Sequence, residues 1–106
     1  MLRWDDLSSA ELTVLETVFW SSGGSRSELA QSCGFSRSKA NTAVAALIER
    51  GMIDETGAQA SSGGRRPETL RLSADMGALA AIDLGASSLD VALFAPDMRE
   101  LAYHAE

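Results

Sequence analysis

Several residue types are scarce in this sequence, and each scarcity removes a class of function. One cysteine, Cys33, and one histidine, His104, exclude an internal disulfide and a Cys/His zinc site. Cys33 is expected in the core and His104 in solvent. Only two prolines are present, Pro67 and Pro96, so no stretch reads as a proline-rich spacer. The few aromatics are not interleaved with basic residues. Trp4, Phe19 and Trp20 therefore read as core or dimer packing and not as a stacking platform for bases. Apolar stretches such as 78–82 and 91–95 break far short of the ~20 residues a membrane span requires. The N-terminus has no basic segment leading into an apolar run, so it does not read as a signal peptide. The expectation is a cytoplasmic protein with no membrane partner.

What is present is globular. Hydrophobic residues make up 45% and charged residues 23% of 106 positions, which is the composition of one ordinary domain and too little chain for two well-cored ones. The net charge of −6 hides an uneven distribution. Residues 1–25 carry one Arg against four acids, and residues 72–106 one Arg against six. Residues 26–71 carry seven bases against five acids, a balance of +2. A polyanion must therefore bind the middle segment, with the acidic flanks turned away.

Helix starts are marked by capping chemistry. Ser8-Ser9-Ala10-Glu11 is a capping box, and Leu7 and Leu12 have the spacing of a hydrophobic staple. The first helix is expected to turn Leu12, Leu15, Val18 and Phe19 inward and to stop at Ser21-Ser22-Gly23-Gly24. Ser25-Arg26-Ser27-Glu28 repeats the box and opens a short helix with Leu29, Ala30 and Cys33 inward, ended by Gly34. Ser36 caps a third helix to about Arg50, closed by Gly51. Its apolar set of Ala40, Val44, Leu47 and Ile48 covers one face. Ser38, Thr42 and Glu49 lie opposite, flanked by Lys39 and Asn41.

Two helices joined at Gly34-Phe35 form a helix-turn-helix pattern. Residues 52–56 and 68–72 can then pair as strands around a loop at 57–67 that carries Gly63-Gly64-Arg65-Arg66-Pro67. Three helices and a basic-tipped hairpin make a winged helix. The chemistry suits duplex DNA, since an α-helix fits the major groove and basic, hydroxyl and amide side chains bond base edges and phosphates. Ser36, Arg37, Ser38, Lys39, Asn41 and Thr42 supply such groups in two turns. Arg65 and Arg66 are placed to enter a minor groove or clamp phosphates.

After Gly77 the pattern changes to strands at 78–84, 88–95 and 99–105, with a turn at Pro96-Asp97. Three strands with no covering helix do not make a stable domain. The expectation is a truncated β-meander, either part of a longer sheet or paired with another copy. Asp83, Gly85 and Ser87 form a strand-end acid and glycine turn of the kind that can hold phosphate, although a plain structural hairpin is the favoured reading of them.

The order of these pieces resembles the ROK family of sugar-responsive repressors and sugar kinases. The resemblance rests on the helix-turn-helix of 29–50, the Gly63–Pro67 wing, and Ala81-Ile82-Asp83-Leu84-Gly85-Ala86-Ser87-Ser88 leading into Val91-Ala92-Leu93-Phe94. It implies a winged helix-turn-helix DNA-binding domain at 1–73. Residues 74–106 would begin an actin-like (ribonuclease-H-like) sugar-sensing domain, here incomplete. The family kinases' Glu-x-Gly-His segment and Cys-rich zinc motif are absent. Their Asp-x-Gly-Gly-Thr turn is replaced by Asp83-Leu84-Gly85-Ala86-Ser87.

The fold expected is thus mainly α with a small β part. The function expected is sequence-specific, double-stranded DNA binding by a homodimeric regulator. It would be a repressor relieved by a sugar or sugar phosphate held in a domain outside this chain, with no enzymatic activity, cofactor or metal. Two alternatives stand beside it: a winged helix that binds protein, and the N-terminal part of a ROK-type sugar kinase.

Overall fold

Three capped helices lead the chain. In the computed structural model, which describes residues 4–21, 23–56 and 69–106, α1 spans Ser9–Ser21 after a short 3-10 turn at Trp4–Asp6. Its capping box is reciprocal: the Glu11 amide donates to Ser8 Oγ at 3.2 Å, and the Ser8 amide donates to the Glu11 carboxylate at 3.4 Å. α2 spans Arg26–Cys33 behind Ser25, whose Oγ accepts from the Glu28 amide. Here Glu28 accepts from the Ser25 hydroxyl, so the second box closes through side chains. α3 spans Arg37–Glu49, capped by Ser36.

The buried face of α1 differs from the expected one. Val14, Leu15 and Val18 are buried, Phe19 is half-buried, and Leu12 is 42% exposed. The helix rests on α2, α3 and the hairpin that follows, and this contact rolls it toward Val14. Leu7 itself enters the core cluster, while Leu12 stays outside, so the staple pair is not what seats the helix. The other two helices bury the expected residues. Leu29 and Ala30 are inward on α2, with Cys33 half-buried at the core margin. Ala40, Ala43, Val44 and Leu47 are buried on α3, with Ile48 packed against them.

β1 (Ile53–Thr56) pairs antiparallel with β2 (Thr69–Leu72), Ile53 opposite Leu72 and Thr56 opposite Thr69. The loop between them, with Arg65 and Arg66, lies outside the described residues. A single bridge adds the α1–α2 connection to this ribbon: the Leu70 amide donates to the Gly24 carbonyl at 2.8 Å. Gly23 is required there. Its φ is +115°, and a Cβ would meet the Leu70 carbonyl oxygen at 3.0 Å, so a side chain is opposed by both conformation and space. Met52, Ile53 and Leu70 complete a core of helices roofed by the hairpin.

A second 3-10 turn, Ala74–Met76, leads to an antiparallel meander of β3 (Leu79–Leu84), β4 (Leu89–Phe94) and β5 (Glu100–Ala105), in the order β3-β4-β5. Strand limits fall within one residue of the sequence reading. No strand residue in this sheet is buried; only Ala95 and Pro96 in the β4–β5 turn are. Trp4 and Trp20 are 52% and 75% exposed, so of the two expected settings, core and dimer packing, the core is excluded for both. Trp20 packs edge-on to Phe19, with ring centroids 5.0 Å apart. Among the described residues no helix is long and apolar enough to cross a membrane.

Candidate nucleic-acid interface

The candidate surface begins where α2 turns into α3. Gly34 adopts φ +70°, the left-handed conformation that ends a helix without steric cost. The Phe35 amide then reaches back to the Ala30 carbonyl at 2.9 Å, which fixes the angle at which α3 leaves. The Lys39 amide donates to Ser36 Oγ at 3.1 Å. The capping hydroxyl still has its own proton to give.

Burial of Ala40, Ala43, Val44 and Leu47 pins one face of α3 inward. At about 100° per residue, Ser38, Thr42, Ala45 and Glu49 then form the outermost row. All six candidate residues on this helix and its cap, Ser36, Arg37, Ser38, Lys39, Asn41 and Thr42, are exposed. They are not equally free. Lys39 Nζ sits 4.3 Å from the Phe35 ring centroid, a cation–π contact that restrains the ammonium beside the turn. Thr42 Oγ1 donates to the Ser38 carbonyl at 2.9 Å, leaving it a methyl group and acceptor lone pairs. Asn41 Oδ1 accepts from Arg26 Nη1 at 3.4 Å.

The structure also sorts the bases of the middle segment. Arg26 is paired with Glu55, its Nε donating to the carboxylate at 2.6 Å. Arg50 lies 3.8 Å from Glu11 and donates to the Asp6 carbonyl, tying the end of α3 to the start of α1. Arg37, Lys39 and Arg71 have no ion-pair partner among the described residues. The bases on α3 that face outward are thus Arg37 and Lys39, both in its first turn. Glu49 ends the same outer row, so the charge on this face is basic in its N-terminal half and acidic at its C-terminal end.

Two contacts escaped the sequence reading. Phe35 and Lys39 stand four residues apart across a helix start, a spacing from which their contact was readable. Arg26 and Glu55 are brought to Asn41 from separate elements, and no local pattern announces that meeting.

The strand-end candidates lie far from this helix in the chain. Asp83, Gly85 and Ser87 are exposed, at the end of β3 and in the turn after it. The Gly85 amide donates to the Ser88 carbonyl at 2.8 Å, and Asp83 stands opposite Asp90 across the β3–β4 pair. The turn closes on itself, and the facing acids disfavour an anion there. Among the described residues, no three His, Cys, Asp or Glu side chains gather as a metal site.

No family model matches the chain. It is 30% identical over 83 residues to a xylose repressor from Caldicellulosiruptor bescii, across 78% of this chain and 21% of that protein. It superposes on the crystal structure of a ROK family transcriptional regulator, a homolog of the E. coli MLC protein, with a TM-score of 0.60 and 23% identity, over 91% of this chain and 24% of that one. The chain is thus similar to parts of longer transcriptional regulators, one of them of the ROK family. A MarR family regulator from Neisseria meningitidis is also similar, with a TM-score of 0.51 and 19% identity over 65% of this chain and 46% of that one. At these identities the two structures bear on the fold alone, three helices followed by small antiparallel sheets. The chain spans about a fifth of the length of the curated relative it matches.

Proposed function

We propose that this chain is the DNA-binding part of a ROK-type transcriptional regulator, a repressor of sugar-metabolism genes. One observation carries the reading: Ser36 to Thr42 present two basic, three hydroxyl and one amide side chain outward, with no acid, on a helix whose other face is locked in the core. The positive end of the α3 dipole adds to their attraction for phosphate. The relative named as a xylose repressor supports the regulatory role and the sugar class of effector.

In this reading residues 1–73 form the DNA-reading unit, and residues 74–106 open an actin-like sugar-sensing domain. Arg37, Ser38, Lys39 and Thr42 face the major groove, and Ser36 bonds a phosphate. Arg65 and Arg66 reach a flanking minor groove. Two copies bind a pseudo-palindrome in the cytoplasm, and a sugar bound elsewhere in the longer protein changes their spacing and releases DNA. Asp83, Gly85 and Ser87 have no part in this reading, which involves no enzyme and no cofactor.

The test is selection from random duplexes followed by anisotropy titration across salt. Selection is expected to return a two-fold repeat. Four basic contacts per subunit correspond to a dimer log–log salt slope of about −7, and Arg65→Ala should make it shallower by about one unit per phosphate released. Absence of binding at low salt overturns the proposal. Undiminished binding by an Arg37→Ala/Lys39→Ala double variant removes α3 from it.

A further inference from the structure

Where the meander meets the helices, the chain forms a groove of about 290 Å³, at the small end of the ~300–1,000 Å³ found for ligand sites. Its apolar walls come from separate elements: half-buried Phe19 on α1, Leu72 on β2, and Pro96 and Met98 in the β4–β5 turn. Arg71 on β2 and Arg99 beside the turn open onto the same space. Asp54 stands opposite Arg71 in the hairpin ladder. Even so, neither arginine has an ion-pair partner among the described residues.

The turn that closes one side of the groove has an uncommon backbone. The Met98 amide donates to the Ala95 carbonyl at 2.8 Å, and the Arg99 amide donates to Asp97 Oδ1 at 3.0 Å. Met98 adopts φ +69°, the one positive φ of a non-glycine residue among the described residues. Glycine or asparagine fills such a position at lower steric cost. Burial does not offset that cost, since Met98 is 54% exposed. What its side chain does instead is line the groove.

The walls define the chemistry of an occupant. Two guanidiniums on one space repel each other, and their N–H groups are donors that suit a carboxylate. Asp97 also lines the groove, so two arginines and one aspartate leave a balance of +1. That balance favours a monoanion over a phosphate dianion. The apolar walls favour a carbon body over a bare inorganic ion.

We infer that this groove is a binding site for a small organic acid, an apolar body that carries one carboxylate. Arg71 and Arg99 receive the carboxylate, and the body lies against Phe19, Leu72 and Met98. A ligand there touches β2 and the β4–β5 turn together, and so fastens the helical unit to the meander. The inference does not depend on DNA binding, and the site is separate from the sugar site proposed above.

The experiment titrates the whole 106-residue chain, carrying isotope-labelled methionine methyl groups, with phenylacetate. The chain has four methionines, and Met98→Leu identifies the Met98 signal. Phenylacetate is expected to move that signal saturably. Arg71→Gln and Arg99→Gln should each raise the dissociation constant about five-fold, as for one ion pair at a partly exposed site. Both arginines are exposed, and circular dichroism checks that the variants fold. Two further probes need no variant at all. Phenylethanol has the body without the charge, and inorganic phosphate has charge without the body; each should bind more weakly than phenylacetate. A Met98 signal that millimolar phenylacetate leaves in place overturns the inference. So does an affinity that neither arginine affects, or equal binding of the alcohol or of phosphate.

Discussion

Among the described residues, positions 7 to 70 place eleven side chains in one buried cluster, whereas none of the strand residues from Leu79 to Ala105 is buried. Both regions obey the same local rules. The helices have caps, the strands pair in register, and the turns carry Gly, Pro and Asp where they are needed. The difference is the second layer. Helices α1, α2 and α3 cover one another and are roofed by β1 and β2. The meander β3-β4-β5 instead leaves Ile82, Leu84, Leu93, Leu101 and Tyr103 from 39% to 77% exposed. Regular hydrogen bonding therefore does not imply an interior, and burial of apolar area, not pairing, separates the two halves energetically.

The largest expected effect sharpens that contrast. Leu47, fully buried between α3 and its neighbours, should cost about 2–5 kcal/mol when changed to Ala, read as a shift of the urea midpoint by far-ultraviolet circular dichroism. Gly23→Ala comes next, at about 1–3 kcal/mol, because the left-handed backbone and the nearby Leu70 carbonyl both oppose a Cβ. Leu84→Ala, at a site 77% exposed, should stay within about 0.5 kcal/mol. A loss as large as that of Leu47→Ala would break the comparison by showing that the sheet is covered in solution.

The smallest effect concerns charge on the sheet. The Tyr103 hydroxyl donates to Asp90 at 2.8 Å, and this bond, followed by the negative charge of Asp90, raises the phenol pKa above its ordinary value of 10.0. Tyr103 is the single tyrosine of the chain, so absorbance near the phenolate band reports it alone. Asp90→Asn should bring its midpoint back toward the ordinary value. The folded state holds this proton more tightly than the unfolded chain, so the contribution is full below pH 10 and fades as pH rises through the raised pKa. A midpoint that Asp90→Asn leaves in place would mean that the hydrogen bond does not persist in solution.

Much of the fold is legible in the sequence because it is local. Ser8, Ser25 and Ser36 announce three helix starts through bonds that span three residues, and Gly34 announces one end through its own φ. Strand limits follow from apolar runs and turn residues. The roll of α1 is not legible, since Leu12 and Val14 are equally apolar and only the packed neighbours choose between them. Trp4 and Trp20 lie outside the core for a similar reason: size and hydrophobicity favour burial but do not provide a site within the chain. For the candidate interface, the run from Ser36 to Thr42 is readable as a polar helix face. Which of its members are restrained is not. The loop with Arg65 and Arg66 lies outside the described residues.

The sequence by itself determined the order of elements, their caps and turns, the concentration of bases in the middle segment, and the resemblance of the chain to ROK-type regulators. Each of these depends on residues close together in the chain or on composition. Only the tertiary structure decided which apolar face of α1 is inward, which bases are paired within the fold, and which polar side chains of α3 already have a partner. Those outcomes depend on groups from different elements meeting in space. Arg26, Asn41 and Glu55 stand on α2, α3 and β1, and packing of the three elements around one core places them within a hydrogen bond of one another.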